Sequence, residues 1–190
     1  MKKEIYQIQI SLKNFKPKIW RRVQIPSNLS VSDFHKIIQT TMGWTNSHLH
    51  LFMKGRTSYS IKLEGDDFWD DTDYSQMVIS DLLSYEKEKI IYEYDFGDGW
   101  QHELLLEKIL PVDDAIKYPV CLKGKMNCPP EDCGGVWGYE NLIAILSQPD
   151  HEEFDSRLEW IGEDFDPQSF DITEINVCLQ QEDYGCLDIW

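Results

Sequence analysis

A chain of 190 residues with 42% hydrophobic and 13% aromatic side chains can bury roughly 70% of its unfolded surface, which excludes general disorder and removes any need for a staple. The start, Met1-Lys2-Lys3-Glu4-Ile5-Tyr6-Gln7, has no apolar leader, and no run approaches the ~18 apolar residues of a membrane span. With an odd count of five cysteines, this predicts a soluble protein with reduced thiols in the cytoplasm, neither exported nor membrane-bound.

The net charge of −16 is polarised. Residues 1–62 hold eleven Lys/Arg against Glu4 and Asp33, a surplus of nine positive charges, whereas residues 131–190 hold sixteen acids against Arg157 alone. The two ends can attract or stand apart as solvated faces. Lys13, Lys16, Lys18, Arg21 and Arg22 could also form a patch for an anionic partner. Nucleic acid is a poor candidate because the acidic end repels phosphates. The acidic end could instead mimic nucleic acid and occupy a DNA-binding protein.

In chain order, Tyr6, Ile8, Ile10 and Leu12 alternate with Gln7, Gln9 and Ser11, the period of a half-buried strand. Asn14 to Pro17 supply a turn, and Ile19, Arg21, Val23 and Ile25 alternate with Trp20, Arg22 and Gln24, predicting a hairpin over 4–25 that Pro26 ends. Ser30 or Ser32 can cap a helix whose face is Phe34, Ile37, Ile38 and Thr41, and Gly43 can stop it. His48, His50 and Phe52 alternate with Leu49, Leu51 and Met53 in a third strand, and residues 57–63 form a fourth. This β-β-α-β order predicts an α+β fold with a β-grasp-like antiparallel or mixed sheet and one packed helix.

Residues 64–73 carry six acids without an EF-hand's glycine or ligand spacing and read as a solvated loop. Ser80 can cap a short helix containing Leu82 and Leu83. Residues 89–95 and 100–109 then form strands around Gly97-Asp98-Gly99, a strong hairpin signal. Beyond Pro111 the pattern is loop and helix, with helices at 139–146, 154–161 and 172–179. The chain reads as one domain over 1–190, β-rich to about 112, followed by a Cys-containing loop and an acidic helical part from 113.

Three constellations could carry chemistry. Cys121, Cys128 and Cys133, spaced C-x6-C-x4-C in a loop rich in Pro and Gly, can converge on structural zinc with His102 or His151 as fourth ligand. They can equally be small thiols in a loop fixed by Pro129, Pro130, Gly134 and Gly135; no Cys-x-x-Cys supports a redox pair. His48 and His50, two apart on a strand, share a face. Asp95-Phe96-Gly97-Asp98-Gly99-Trp100-Gln101-His102 sets two carboxylates and an imidazole around a turn. Its Asp-Phe-Gly lacks the Gly-rich loop and His-Arg-Asp segment of a kinase. If these strands pair, His48, His50, Asp95, Asp98 and His102 could serve a metal-dependent hydrolase. Phosphate-binding and nucleophile-elbow glycine motifs are absent from the sequence.

Ile19-Trp20-Arg21-Arg22, Gly43-Trp44, His48-Leu49-His50-Leu51-Phe52, Tyr94-Asp95-Phe96-Gly97-Asp98 with Trp100 and His102, and Cys128-Pro129-Pro130-Glu131-Asp132-Cys133-Gly134-Gly135 with Gly138-Tyr139 together give a specific signature. On these stretches the chain, from residue 5 to about 180, resembles the plasmid pRiA4b ORF-3-like family. The resemblance implies an α+β fold and a cytoplasmic setting, and it carries no reaction, ligand or catalytic residue onto these positions. The sequence thus favours a non-enzymatic binding module with a protein or small-ligand partner of basic character, zinc being the candidate cofactor and the hydrolase its rival.

Overall fold

The computed structural model describes residues 4–62 and 71–186. The first two alternating segments form β1 (Glu4–Leu12) and β2 (Trp20–Pro26), paired antiparallel with Ile8 opposite Val23. Helix α1 (Val31–Met42) starts at Ser30, whose hydroxyl accepts the Asp33 amide at 2.9 Å, and stops at Gly43 in the left-handed region at φ 98°. The chain returns through β3 (His50–Lys54), β4 (Thr57–Ser60) and β5 (Thr72–Asp73), a helical turn α2 (Ile79–Leu82), then β6 (Lys89–Tyr94) and β7 (Trp100–Pro111). The edge strand β8 (Val120–Lys125) precedes α3 (Gly135–Leu146), α4 (Phe154–Ile161), α5 (Ile172–Cys178) and a 3-10 turn at Glu182–Gly185.

Among the described residues the strands make one mixed sheet in the order β5-β4-β3-β6-β7-β1-β2-β8, antiparallel except for β4 with β5. The order β-β-α-β is present as β1, β2, α1 and β3, but β1 sits between β2 and β7 in a sheet of eight strands. The fold is of the α+β class. Register explains its single core. Phe52, Tyr92, His102 and Leu12 lie in one row across four strands, and Ile90, Leu104, Ile10 and Arg21 in another. All eight are buried. The next residue along each strand points to the other face, where Gln7, Arg22 and Glu107 form a polar network, Arg22 holding Glu107 with contacts of 2.6 and 2.7 Å. Helix α1 covers the apolar face with Phe34, Ile37, Ile38 and Met42, each burial contributing about 1.5–3 kcal/mol.

Several expectations are corrected by this packing. Arg21 belongs to no cationic patch: it is 2% exposed, and its guanidinium donates to the carbonyls of Thr41, Trp20 and Lys125. Arg22 is committed to Glu107. The second half is not only loop and helix, because β8 extends the sheet beside β2. The short helix is capped at Val78, whose amide donates to Asp81, rather than at Ser80. Of the strand expected over 57–63 and the loop over 64–73, residues 63–70 lie outside the described residues, and Thr72–Asp73 pairs with β4.

Candidate metal centre

Three segments meet at one end of the sheet: the connection between α1 and β3, the turn between β6 and β7, and the loop before α3. Asp95 opens the turn in the left-handed region (φ 56°), a conformation its short side chain supports because Oδ1 accepts the amides of Gly97 at 2.9 Å and Asp98 at 3.3 Å. The Asp95 amide donates to the Leu49 carbonyl at 2.9 Å, fixing the first segment against the turn. The third is clamped below it. Gly134 donates its amide to Asp98 Oδ2 at 3.2 Å, and Gly135, at φ 67°, lies so close that a Cβ there would stand 2.4 Å from the Asp98 carbonyl oxygen.

Glu131 completes the tie by accepting the Tyr94 hydroxyl at 2.5 Å, the Thr45 amide at 3.2 Å and the Thr45 hydroxyl; the Ser47 amide donates to Tyr94 at 2.9 Å. Burial and the Glu131 carboxylate both raise the Tyr94 pKa, so its phenol remains a donor.

His48 is carried by the first segment, Asp95 by the second and Asp132 (φ 57°) by the third. His48 Nε2 stands 3.3 Å from Asp132 Oδ1 and 3.7 Å from Asp95 Oδ2. Among the described residues these make the one set of three His, Cys, Asp or Glu side chains whose ligand atoms all lie within 4.8 Å of one another. Donors at ~2.1 Å from a tetrahedral ion stand about 3.4 Å apart, close to the separations found. Nε2 is shielded from solvent and has no hydrogen-bond partner, since the carboxylates lie within ion-pair range but outside hydrogen-bond geometry. Asp95 is 10% exposed at its side chain and Asp132 74%, so the set opens to solvent on one side. One imidazole and two carboxylates suit Zn²⁺, Mn²⁺ or a neighbouring divalent ion, with coordination positions left over.

The remaining expected residues lie elsewhere. His50 does not share a face with His48, because β3 begins at His50 and the preceding residues form a turn with Asn46 at φ 59°. The His50 ring stacks on His35 with centroids 3.4 Å apart, and its Nε2 meets the Tyr74 hydroxyl. His35 in turn contacts Tyr92 at 2.9 Å and Asn46 at 2.8 Å. Burial lowers the His35 pKa to about 4, and burial together with His35 lowers that of His50 well below the usual value. His102 is 0% exposed, and its Nδ1 donates to the Trp100 carbonyl at 3.0 Å, with burial lowering its pKa to about 3. Asp98 is held by Gly134.

The sulfurs of Cys121, Cys128 and Cys133 do not form a three-ligand set of the same tightness, nor do they with His102 or His151. Cys121 lies on β8, with its amide and carbonyl both held by Asn176. Burial raises the pKa of all three thiols, that of Cys133 to about 12, with Asp98 adding to it; the nearby Arg21 only partly offsets this for Cys121 and Cys128. Asp132, missed by reading the loop for its thiols, stands between Glu131 and Cys133 in the same motif. Its signal was the meeting of three motif stretches that each carry an acid or imidazole beside a turn.

Comparison with known proteins places this arrangement in context. The family model described as plasmid pRiA4b ORF-3-like protein matches residues 4–174, a span containing all three segments of the centre. An uncharacterized protein, y4hQ, of Sinorhizobium fredii is 32% identical over 176 residues, covering 90% of this chain and 89% of that protein. The crystal structure of MM3350, a protein of unknown function from Methanosarcina mazei Go1, superposes with a TM-score of 0.84 at 37% identity, covering 92% of this chain and 98% of the other. No activity is described in either name, and no helix among the described residues is long and apolar enough to cross a membrane. By its sequence match over most of its length, the chain belongs to the plasmid pRiA4b ORF-3-like family.

Proposed function

We propose that this protein is a binding module that holds one divalent transition-metal ion between His48, Asp95 and Asp132 and captures a ligand at the ion's open positions. The observation that carries this reading is the unpartnered His48 Nε2 facing two carboxylates from separate segments. Apolar side chains beside the centre support it. Leu49 follows His48, Phe96 follows Asp95, and Trp137, 86% exposed, stands on the first turn of α3, so all three are available to a partner.

A hydrolase built on His48, His50, Asp95, Asp98 and His102 is less well supported, because the half-buried His50 is committed to His35 and Tyr74, His102 is enclosed in the core and Asp98 serves the loop clamp. The reading takes residues 1–190 as one domain in which the β-grasp-like unit β1-β2-α1-β3 is the scaffold. It also takes a reducing cytoplasm as the setting in which five free thiols persist.

Calorimetric titration of metal-stripped protein with Mn²⁺ and Zn²⁺ tests it. One equivalent is expected to bind, with affinity falling at least about tenfold in His48→Ala and in Asp132→Asn, of the size found when a charged ligand is lost. Asp132 is exposed, so the second variant should keep its fold, verified by circular dichroism. Absence of uptake by the native chain, or uptake in both variants as tight as in the native chain, contradicts the proposal.

A further inference from the structure

A recess of about 220 Å³ shares Asp132 with the metal centre and is lined further by Asn141, Leu142, Arg157 and Trp160. Resting on the cation reading above, we infer that this recess takes a small dicarboxylate, one carboxylate completing the coordination of the ion and the other pairing with Arg157.

Charge is the first support. Residues 131–190 hold sixteen acids against a single cation, Arg157, and that cation lies in the recess wall. An anion approaching this region is repelled unless local positive charge brackets it. The ion at Asp132 supplies one bracket and Arg157 the other, so a ligand with two anionic ends gains from both and a monoanion from one only.

The guanidinium is pre-aligned. Glu153, which immediately precedes α4, accepts from Arg157 Nε at 3.0 Å and Nη2 at 2.7 Å, which leaves Nη1 for a ligand. The Leu142 side chain and the half-exposed Trp160 ring also line the recess and suit a short methylene spacer, and the Asn141 amide can add a hydrogen bond. Size sets the class, since 220 Å³ falls below the ~300 Å³ floor of drug-sized pockets and admits roughly four to six carbons.

The test uses the full-length chain loaded with Mn²⁺ and titrated with succinate, or with acetate as the single-ended control, following tryptophan fluorescence and heat. Succinate is expected to bind at least about tenfold more tightly than acetate, the value of one added charge-assisted contact. Arg157→Gln is expected to erase that advantage while leaving Mn²⁺ affinity unchanged. If Mn²⁺ binds but succinate has no advantage, or keeps it in Arg157→Gln, the dicarboxylate inference is overturned and the cation reading stands. If the native chain takes up no Mn²⁺, both fall together.

Discussion

At Gly135 the backbone is at φ 67° and the Asp98 carbonyl occupies the place a side chain would need, so glycine is required twice over, by conformation and by space. Gly135→Ala is expected to lower stability by roughly 1–3 kcal/mol and to weaken metal uptake by shifting Asp132; urea denaturation and calorimetry on one sample check both. Arg21 makes a complementary case. Three backbone carbonyls accept from its planar fork. Arg21→Lys is expected to cost about 1–3 kcal/mol in urea denaturation because an ammonium cannot reproduce that geometry. Binding of anions at the surface should be unchanged. Strand alternation had already put Arg21 among Ile19, Val23 and Ile25, so its burial was legible. The charge count drew it outward instead, because composition says nothing about which face of a strand a cation occupies.

Elements with strong periodicity were readable. β1, β2, α1, β6 and β7 each bury one regular face, and α4 spans the expected 154–161. β8 was not readable, for a physical reason. It is an edge strand in which Cys121 alone is buried, and its interior glycine is imposed by Phe170 and the Trp20 carbonyl, within 2.9 Å of any added Cβ. No period of two survives in such a segment. The edge is closed by α5, where Asn176 donates to the Cys121 carbonyl at 2.9 Å and accepts the Cys121 amide at 2.8 Å. Asn176→Ala is expected to cost about 1–2 kcal/mol and to raise hydrogen exchange selectively at Cys121. For the candidate site, His48 and Asp95 were legible as types within turns. Their union with Asp132 was not, since it depends on how a loop some 36 residues beyond the β6-β7 turn docks under Asp98.

Across the molecule, the acidic part does not simply stand apart: Asp183 pairs with Lys36 at 2.6 Å, and the Tyr184 carbonyl accepts from Thr40, anchoring the turn at Glu182–Gly185 on α1. The buried histidines give the whole fold a pH dependence. His35 and His102 have pKa values lowered by burial to about 4 and about 3, and His50 is lowered in the same direction. All three stay neutral in the folded chain while the unfolded chain takes up protons below ~6.5. Stability is therefore flat above that pH with respect to these groups and is lost as pH falls from ~6.5 towards 4, by about 1.4 kcal/mol per pH unit for each fully enclosed histidine. The Glu88 pKa is lowered because Lys54 and the Ser84 amide and hydroxyl outweigh its burial, and that of Glu107 chiefly by Arg22; both add their loss only below ~4.5. Urea midpoints measured from pH 7.5 to 5.5 should show the onset of this decline.

The proposed metal centre is tested most directly by anomalous diffraction from crystals soaked in Mn²⁺. A single peak within about 2.3 Å of His48 Nε2 and of one carboxylate oxygen each from Asp95 and Asp132 is the expected result. A peak at the cysteine loop, or none near His48, would contradict it.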